Sequence, residues 1–187
     1  MIPFRFSRVD QNAVDFEKIM EEVFRLRYKV YCDEWGFEKA ADYPDGMERN
    51  EFDAQAEHFI IQSTVDNTII GTARVIFPGE LGYAVTRHCI IDTDLQQKYL
   101  DNIRSVRIGE VSRLAISKEY RKRIEDDVLT GFLSDVPEEN LLSHEKRKCN
   151  YVHEFYKFIL LQSMELELTH WYVAMKRGLY VLLKRVG

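Results

Sequence analysis

The sequence predicts an α/β or α+β sandwich, with helices packed on a sheet, and three observations lead to this. Two β-rich runs, His58–Val65 and Thr68–Phe77, flank Asp66-Asn67 and predict a hairpin. A third β-rich run covers Val106–Ser117. Segments with apolar residues three or four positions apart alternate with these runs and predict amphipathic helices. The length of 187 residues and an apolar fraction of 45% fit one globular domain, residues 1–187.

The N-terminal segment predicts a short strand followed by a long helix. Residues 4–8 alternate between larger and smaller or polar side chains, and Asp10 is placed to cap the next helix. Residues 14–33 carry a helical stripe: Phe16, Met20, Val23 and Tyr31. Arg27 occupies the same stripe, which turns its side chain toward the interior. An arginine that snorkels at the edge of the stripe satisfies the same pattern.

The remaining elements follow from periodicity and turn chemistry. Residues 35–53 predict a long loop, with a turn at Pro44-Asp45-Gly46, and long loops often bind ligands. We expect helices over 94–104, 145–168 and 178–186, a basic turn at 118–123, a short helix and loop over 125–143, and a strand over 169–175.

The second and third β-rich runs carry charges whose direction depends on register. Simple alternation places Ile70, Thr72, Arg74 and Ile76 on one face. It also points Glu110 and Arg113 to opposite faces. A β-bulge near Gly109 or Ser112 brings these two charges to one side and frees a backbone N–H group.

Charged side chains in otherwise apolar patterns predict a polar cleft. They are Arg27, Glu51, Asp53, Arg74, Glu110 and Arg113. A buried charge is costly unless it is paired or faces a cleft. Several such charges in one domain therefore predict a site lined by carboxylates and guanidinium groups.

Composition and cysteine usage exclude several classes of function. A net charge of −5 argues against a nucleic-acid partner. Three cysteines without framework spacing favour free thiols and a cytoplasmic location. The N-terminus lacks the apolar core of a signal peptide, and no stretch is long enough for stable membrane insertion.

Metal and nucleophile motifs are weak. Cys149 and His153 lie four positions apart on a predicted helix, but no second pair of ligands accompanies them, so we expect no metal site. His88-Cys89 is a nucleophile and a base in sequence, yet adjacent residues rarely face each other.

Several segments resemble motifs of the acyl-homoserine-lactone (autoinducer) synthases and of the related N-acyl amino acid synthases. The matching segments are Phe24–Tyr31, Gly46–Asp53, Ala73-Arg74 and Glu110–Arg113. Residues 169–175 look most like the branch of acyltransferases associated with PEP-CTERM/exosortase systems. The resemblance covers most of the chain from residue 24 onward. It implies a GNAT-like α-β-α sandwich around a mixed, mostly antiparallel sheet.

The resemblance also implies roles for individual residues. Catalytic roles fall to Glu110, Arg113, Asp53 and Arg74. Substrate contacts fall to Arg27, Tyr31, Phe37, Asn50 and Ser112. Asn50 stands where autoinducer synthases usually have an aspartate, and Tyr31 and Phe37 replace their usual Phe and Trp. These departures favour an N-acyltransferase over a strict homoserine-lactone synthase.

The expected donor is an acyl thioester. GNAT enzymes that use acyl-CoA usually carry a glycine-rich phosphate loop after the fourth strand, and residues 117–123 contain no glycine. The basic cluster there, Lys118, Arg121, Lys122 and Arg123, suits the acidic surface of an acyl carrier protein, although a solvated charged loop has the same composition. Acyl carrier protein or acyl-CoA is then a co-substrate, with no tightly bound cofactor. GNAT domains usually continue past the final helix, so we expect the last strand or strands to be missing.

Acyl transfer to an amine needs a base, an oxyanion contact and alignment of both reactants. Glu110 is the candidate base, acting through water, and a bulge N–H between Val111 and Arg113 is the candidate oxyanion contact. Arg74 or Arg27 is placed to fork onto the carboxylate of an amino-acid acceptor, with Asp53 orienting that arginine or binding the ammonium. The alternatives are a non-catalytic module that binds acyl groups or acyl carrier protein, and a true acyl-homoserine-lactone synthase.

Overall fold

A five-stranded sheet runs through the molecule, seen in a computed structural model that describes residues 4–90, 94, 106–123, 151–175 and 180. Its strands, in spatial order, are β1 (Phe4–Arg8), β2 (Ala56–Ser63), β3 (Ile69–Ile76), β4 (Ile108–Ile116) and β5 (His170–Tyr172). The first four pair antiparallel, and β5 pairs parallel to β4. The predicted mixed, mostly antiparallel sheet is confirmed, and so is the hairpin of β2 and β3.

Helices cover both faces of this sheet, which confirms the predicted sandwich. The described helices are α1 (Phe16–Tyr28), α2 (Lys118–Arg123) and α3 (Tyr151–Glu165). On one face Met20 and Val23 of α1 pack against Ile60 and Ala115. On the other face, Phe155 and Ile159 of α3 join a larger apolar cluster. We call these the α1 face and the α3 face.

The N-terminal helix departs from its prediction at both ends. It begins at Phe16, and the Asp10 side chain does not cap it. Asp10 instead accepts a hydrogen bond from the Asn12 N–H at 2.9 Å, because a short Asx turn satisfies its carboxylate first. At the other end α1 continues as a π-helix over Lys29–Glu34, a wider turn that is often found at functional sites.

Two irregularities in the sheet decide which side chains reach the α1 face. The pairing of β2 with β3 shifts between Ile61 and Gln62. As a result Ile70 joins the cluster on the α3 face, and the prediction that it shares a face with Arg74 is wrong. The second irregularity, in β4, builds the candidate site and is described below.

Several predicted segments lie wholly or largely outside the described residues. The helices expected over 94–104, 125–143 and 178–186 fall there, apart from Asp94 and Tyr180, and so does Cys149. The expected basic turn is helical, as α2. Within the described part of the chain, no helix is long and apolar enough to cross a membrane.

Candidate active site

A cavity of about 450 Å³ opens beside β4, between the π-helical segment and the end of β5. β4 and β5 pair only over Ile108–Glu110 and His170–Tyr172. The pairing with β5 ends at Glu110, while β4 continues to Ile116. The second half of β4 and the residues that follow β5, such as Val173 and Met175, both line the cavity. Apolar side chains of these two segments, such as Leu114 and Val173, therefore form an apolar wall of the cavity.

A bulge in β4 turns consecutive polar residues toward this cavity. Arg74 pairs with Ser112 but Thr72 pairs with Ala115, so β4 carries one extra residue. Arg113 sits at the bulge with φ 55°, a left-handed conformation that is uncommon for a residue other than glycine. Both Glu110 and Arg113 line the cavity as a result. The bulge predicted near Gly109 or Ser112 is confirmed at Ser112.

The guanidinium group of Arg27 lies between two carboxylates on the α1 face. Its Nε donates to Glu48 Oε2 at 2.5 Å, and its Nη1 donates to Asp53 Oδ1 at 2.7 Å. Arg27 is 1% exposed and Glu48 is fully buried, so the arginine does not snorkel. Both carboxylates that pair with Arg27 are side chains of the protein itself. Arg27 does not line the cavity.

Arg74 shares Asp53 with Arg27 and reaches the cavity. Its Nη1 donates to Asp53 Oδ1 at 2.7 Å and to Asn50 Oδ1 at 2.8 Å, and its Nε donates to Ser112 Oγ at 3.1 Å. Its Nη2 is buried without a partner among the described residues. The loop residue Asn50 also accepts the Phe52 N–H, which fixes the start of the next turn.

Arg113 extends the network through Glu48. Its Nε donates to Glu48 Oε1 at 3.1 Å, and its Nη2 donates to Glu38 Oε1 at 3.0 Å. The guanidinium carbon also lies 5.5 Å from the ring centre of Tyr31, a cation–π contact. Glu48 thus bridges Arg27 and Arg113 as Asp53 bridges Arg27 and Arg74. Three arginines and three carboxylates therefore alternate in one chain of ion pairs, in the order Arg74, Asp53, Arg27, Glu48, Arg113 and Glu38.

Burial and the charges of this network shift the pKa values of Asp53 and His58. Burial by itself raises the pKa of Asp53, but the guanidinium groups of Arg27 and Arg74 outweigh it and hold that pKa well below its usual range. Burial lowers the pKa of His58 to about 4, despite the nearby Asp53. His58 is therefore neutral at pH 7, and its Nδ1 has no partner among the described residues.

Glu110 differs from the other buried acids because it faces the cavity without a cationic partner in the described structure. It is 4% exposed and lines the cavity wall. Its Oε2 accepts a hydrogen bond from the Val85 N–H at 2.9 Å. Val85 belongs to a short 3₁₀ turn, Ala84–Arg87, which covers the carboxylate from the loop after β3.

The same turn carries Arg87 to the mouth of the cavity. Arg87 forms an ion pair with Glu51, and both side chains are about half exposed, at 47% and 48%. Its guanidinium carbon lies 4.4 Å from the ring centre of Phe52. Glu51, one of the out-of-place charges in the sequence, lines the cavity but is half exposed, because it follows Asn50 at the start of a surface turn.

Aromatic side chains form the opposite wall. Trp35 and Phe37 stack with their ring centres 6.0 Å apart, and both line the cavity with Tyr31. The Tyr31 hydroxyl donates to the Leu114 carbonyl at 2.8 Å, which joins the π-helical segment to the β4 bulge. Desolvation raises the pKa of this hydroxyl to about 12, so it stays protonated and donates.

Comparison with known proteins places this geometry in a family. Residues 26–130 match the acetyltransferase (GNAT) domain. The chain belongs to the GNAT acetyltransferase family. No curated protein matches this GNAT chain.

Solved structures with the same fold include two synthases and an acetyltransferase. The AHL synthase LasI aligns with a TM-score of 0.58 at 16% identity, over 100% of this chain and 78% of LasI. FeeM, an N-acyl amino acid synthase from uncultured soil microbes, aligns with a TM-score of 0.51 at 11% identity, over 97% of this chain and 76% of FeeM. An acetyltransferase of Trypanosoma brucei aligns with a TM-score of 0.50 at 7% identity, over 99% and 92%. These likenesses support the GNAT fold of this chain.

Most site residues predicted from the sequence lie in or behind the cavity of this GNAT domain. The cavity wall contains Tyr31, Phe37, Asn50, Arg74, Glu110, Ser112 and Arg113. Arg27 and Asp53 lie behind it in the ion network. Lys118 is exposed on α2 and absent from the wall; of Arg121, Lys122 and Arg123 only the helical backbone is described.

Sequence reasoning missed Glu48 and Arg87. Glu48 lies in a loop where no periodicity separates a buried acid from its exposed neighbours, although it stands inside one of the matching segments. Arg87 is in a surface turn with ordinary composition. Among the described residues no group of three or more His, Cys, Asp or Glu side chains is placed to hold a metal ion.

Proposed function

We propose that this GNAT acyltransferase moves a fatty acyl group from a thioester, carried by acyl carrier protein or CoA, to the amine of an amino acid or a related small molecule. The observation that carries the proposal is Glu110, a buried carboxylate that has no cationic partner among the described residues and lines the cavity beyond the pairing of β4 with β5. An acceptor amine must lose a proton to attack a thioester, and a carboxylate at this position is a general base for it.

Neighbouring parts of β4 supply the base and the hydrogen-bond donor to the acyl carbonyl. Glu110 takes the amine proton, through a water molecule where the amine lies beyond direct reach. A backbone N–H between Val111 and Arg113, at the bulge, donates to the oxyanion of the tetrahedral intermediate. When the intermediate collapses, the amide bond forms and the thiolate of the donor leaves. A thioester is already activated, so the protein supplies no covalent nucleophile.

The ion network has a positioning role in this scheme. Arg27 and Asp53 are engaged with each other and hold Arg74 against Ser112, which precedes the bulge. Glu48 holds Arg113 from the opposite side. Fixed charges of this kind keep the donors at the β4 bulge in one orientation. The apolar wall between β4 and β5 accommodates the acyl chain.

The test of the function is direct detection of product. Purified protein is incubated with acyl carrier protein thioesters of several chain lengths and a panel of amino acids, and N-acyl products are identified by mass spectrometry. A new amide that requires the protein supports the proposal. Tight binding of acyl carrier protein without any product across the panel overturns it in favour of a non-catalytic binding module. Release of a homoserine lactone identifies an autoinducer synthase instead.

We infer that acyl carrier protein is the preferred donor, because the segment after β4 is basic and lacks the glycines of a phosphate loop. Reversing the charge of Lys118, Arg121 and Lys122 raises KM for the carrier, reduces its salt dependence and leaves kcat unchanged. Lys18→Glu, at an exposed position on α1, is the control. Equal efficiency with both donors, or an unchanged KM in the reversed variant, contradicts this inference.

A further inference from the structure

We propose that Arg87 binds the carboxylate of the acceptor by exchanging Glu51 for it, so that the acceptor is an α-amino acid and not a simple amine. The inference rests on the proposed function, and it assigns the substrate anchor to a residue outside the ion network. It follows from the state of the three arginines that line the cavity in the described structure, Arg74, Arg87 and Arg113.

Two of these arginines are committed to buried partners. Arg74 donates to Asp53, which is 9% exposed, and Arg113 donates to Glu48, which is fully buried. An acceptor carboxylate that displaced either acid would leave a charge unpaired in the interior, which is costly. Arg74 Nη2 is buried, with no partner among the described residues. Arg113 also has an outer pair with Glu38, but its Nε stays on buried Glu48, and the side chains of the outer pair are 24% and 30% exposed, against 47% and 48% for Arg87 and Glu51. Of the three arginines, Arg87 therefore has the pair most open to exchange with a substrate.

Arg87 has the opposite properties. Its partner Glu51 is half exposed, so water solvates that carboxylate whenever the pair opens. Exchange of one carboxylate for another on a surface arginine costs little, because the charge balance of the arginine is preserved. The ring of Phe52 under the guanidinium group keeps its planar fork in place during the exchange.

The turn that holds Glu110 also carries Arg87. The Val85 N–H holds Glu110, and Arg87 follows two residues later in the same 3₁₀ turn. Two residues span at most about 7 Å of backbone. In an α-amino acid a single carbon separates the amine from the carboxylate. One turn can therefore present a base to the amine and a fork to the carboxylate of the same molecule.

The test compares each acceptor with its own carboxamide. Glycine, alanine and phenylalanine are assayed beside their amides, and the ratio of the two kcat/KM values gives the preference for the acid. Arg87→Ala lowers this ratio at least tenfold through KM, the scale of a lost charge-assisted contact. Arg87→Lys restores only part of it, because the fork is lost. Glu51→Gln raises the ratio, because it removes the competing carboxylate.

Arg49→Ala is the matched control. Arg49 is also half exposed, pairs with Asp45 at 2.6 Å and lies over a phenylalanine ring, but it is outside the cavity wall. Its removal leaves the ratio at the wild-type value. An unchanged ratio in both Arg87→Ala and Glu51→Gln overturns this inference while the proposed function stands. Absence of product from the acids and the amides alike overturns the proposed function and this inference with it.

Discussion

Both faces of the sheet bury an apolar cluster, but the α1 face buries an ion network as well. On the α3 face, Phe59, Ile61 and Phe155 are fully buried in a continuous apolar cluster. On the α1 face, Arg27, Glu48 and Arg74 are buried to the same degree, and they are among the largest buried side chains in the described structure. Both faces belong to the same strands, because β2, β3 and β4 alternate between them.

The difference shows which face stabilises the domain and which face serves chemistry. Apolar burial on the α3 face contributes directly to folding. Buried ion pairs contribute little net stability, because desolvation offsets their attraction, yet removing one partner is severe. The cavity opens at the edge of the charged face. The account therefore predicts that substitutions on the α3 face away from the cavity wall, such as at Phe155, change stability alone, whereas substitutions in the ion network of the α1 face change activity as well.

The largest expected loss of stability comes from the α3 face. Phe155→Ala removes a fully buried ring and lowers the free energy of unfolding by about 3–5 kcal/mol. Denaturant unfolding measures this loss. Activity per folded molecule stays at the wild-type level. Leu161→Gln, on the half-exposed side of the same helix, is the control and changes stability by less than about 0.5 kcal/mol. A large loss of activity per folded Phe155→Ala molecule would contradict the division between the faces.

The stability of the α1 face depends on the balance of its buried charges. Arg27→Met leaves Glu48 and Asp53 short of a cation and costs about 3 kcal/mol. Adding Glu48→Gln removes one surplus carboxylate, and we expect the double variant to regain part of that loss in thermal unfolding. Acyl transfer stays impaired in both, because Arg113 and Arg74 lose their supports. If the double variant is less stable than the wild type by the sum of the two single losses, the two residues are not coupled.

Acid weakens the charged face through Asp53. Its folded-state pKa is depressed below the unfolded value of about 3.9, so its contribution is complete above about pH 4 and is lost as the pH falls through and below that value. Each proton taken up on unfolding adds about 1.4 kcal/mol of loss per pH unit. Wild-type stability therefore falls more steeply between pH 4 and pH 3 than that of Asp53→Asn. Equal slopes in the wild type and in Asp53→Asn would contradict a depressed pKa at Asp53.

Periodicity predicted the parts of the site that lie on regular elements. The helical stripe turned Arg27 toward the interior, with a snorkelling arginine as the alternative, and strand alternation grouped Arg74 with Thr72 and Ile76 on one face. The bulge at Ser112 was predicted from the need to bring Glu110 and Arg113 to one side. The family resemblance and the out-of-place charges led to the same residues, since buried charges are kept where chemistry needs them.

The loops and the irregular backbone were not predictable in the same way. Glu48 meets Arg113 from 65 positions away, and nothing local in the sequence records that contact. The shift that moves Ile70 to the α3 face and the π-helical turn after Tyr28 both break a regular period. Arg87 depends on the packing of a surface turn against Phe52. Tertiary packing, not local propensity, decides each of these.

The most direct test of the central claim is the effect of Glu110→Gln on acyl transfer and on thermal unfolding in one preparation. Gln keeps the size of the side chain and an oxygen that accepts the Val85 N–H, but it cannot take a proton. The account predicts that kcat falls by about 10²-fold or more, the scale of a lost general base. It predicts that the melting temperature changes by less than about 3 °C, equivalent to about 1 kcal/mol. A fully active variant would contradict the account, and so would a collapse of the melting temperature with unchanged activity per folded molecule.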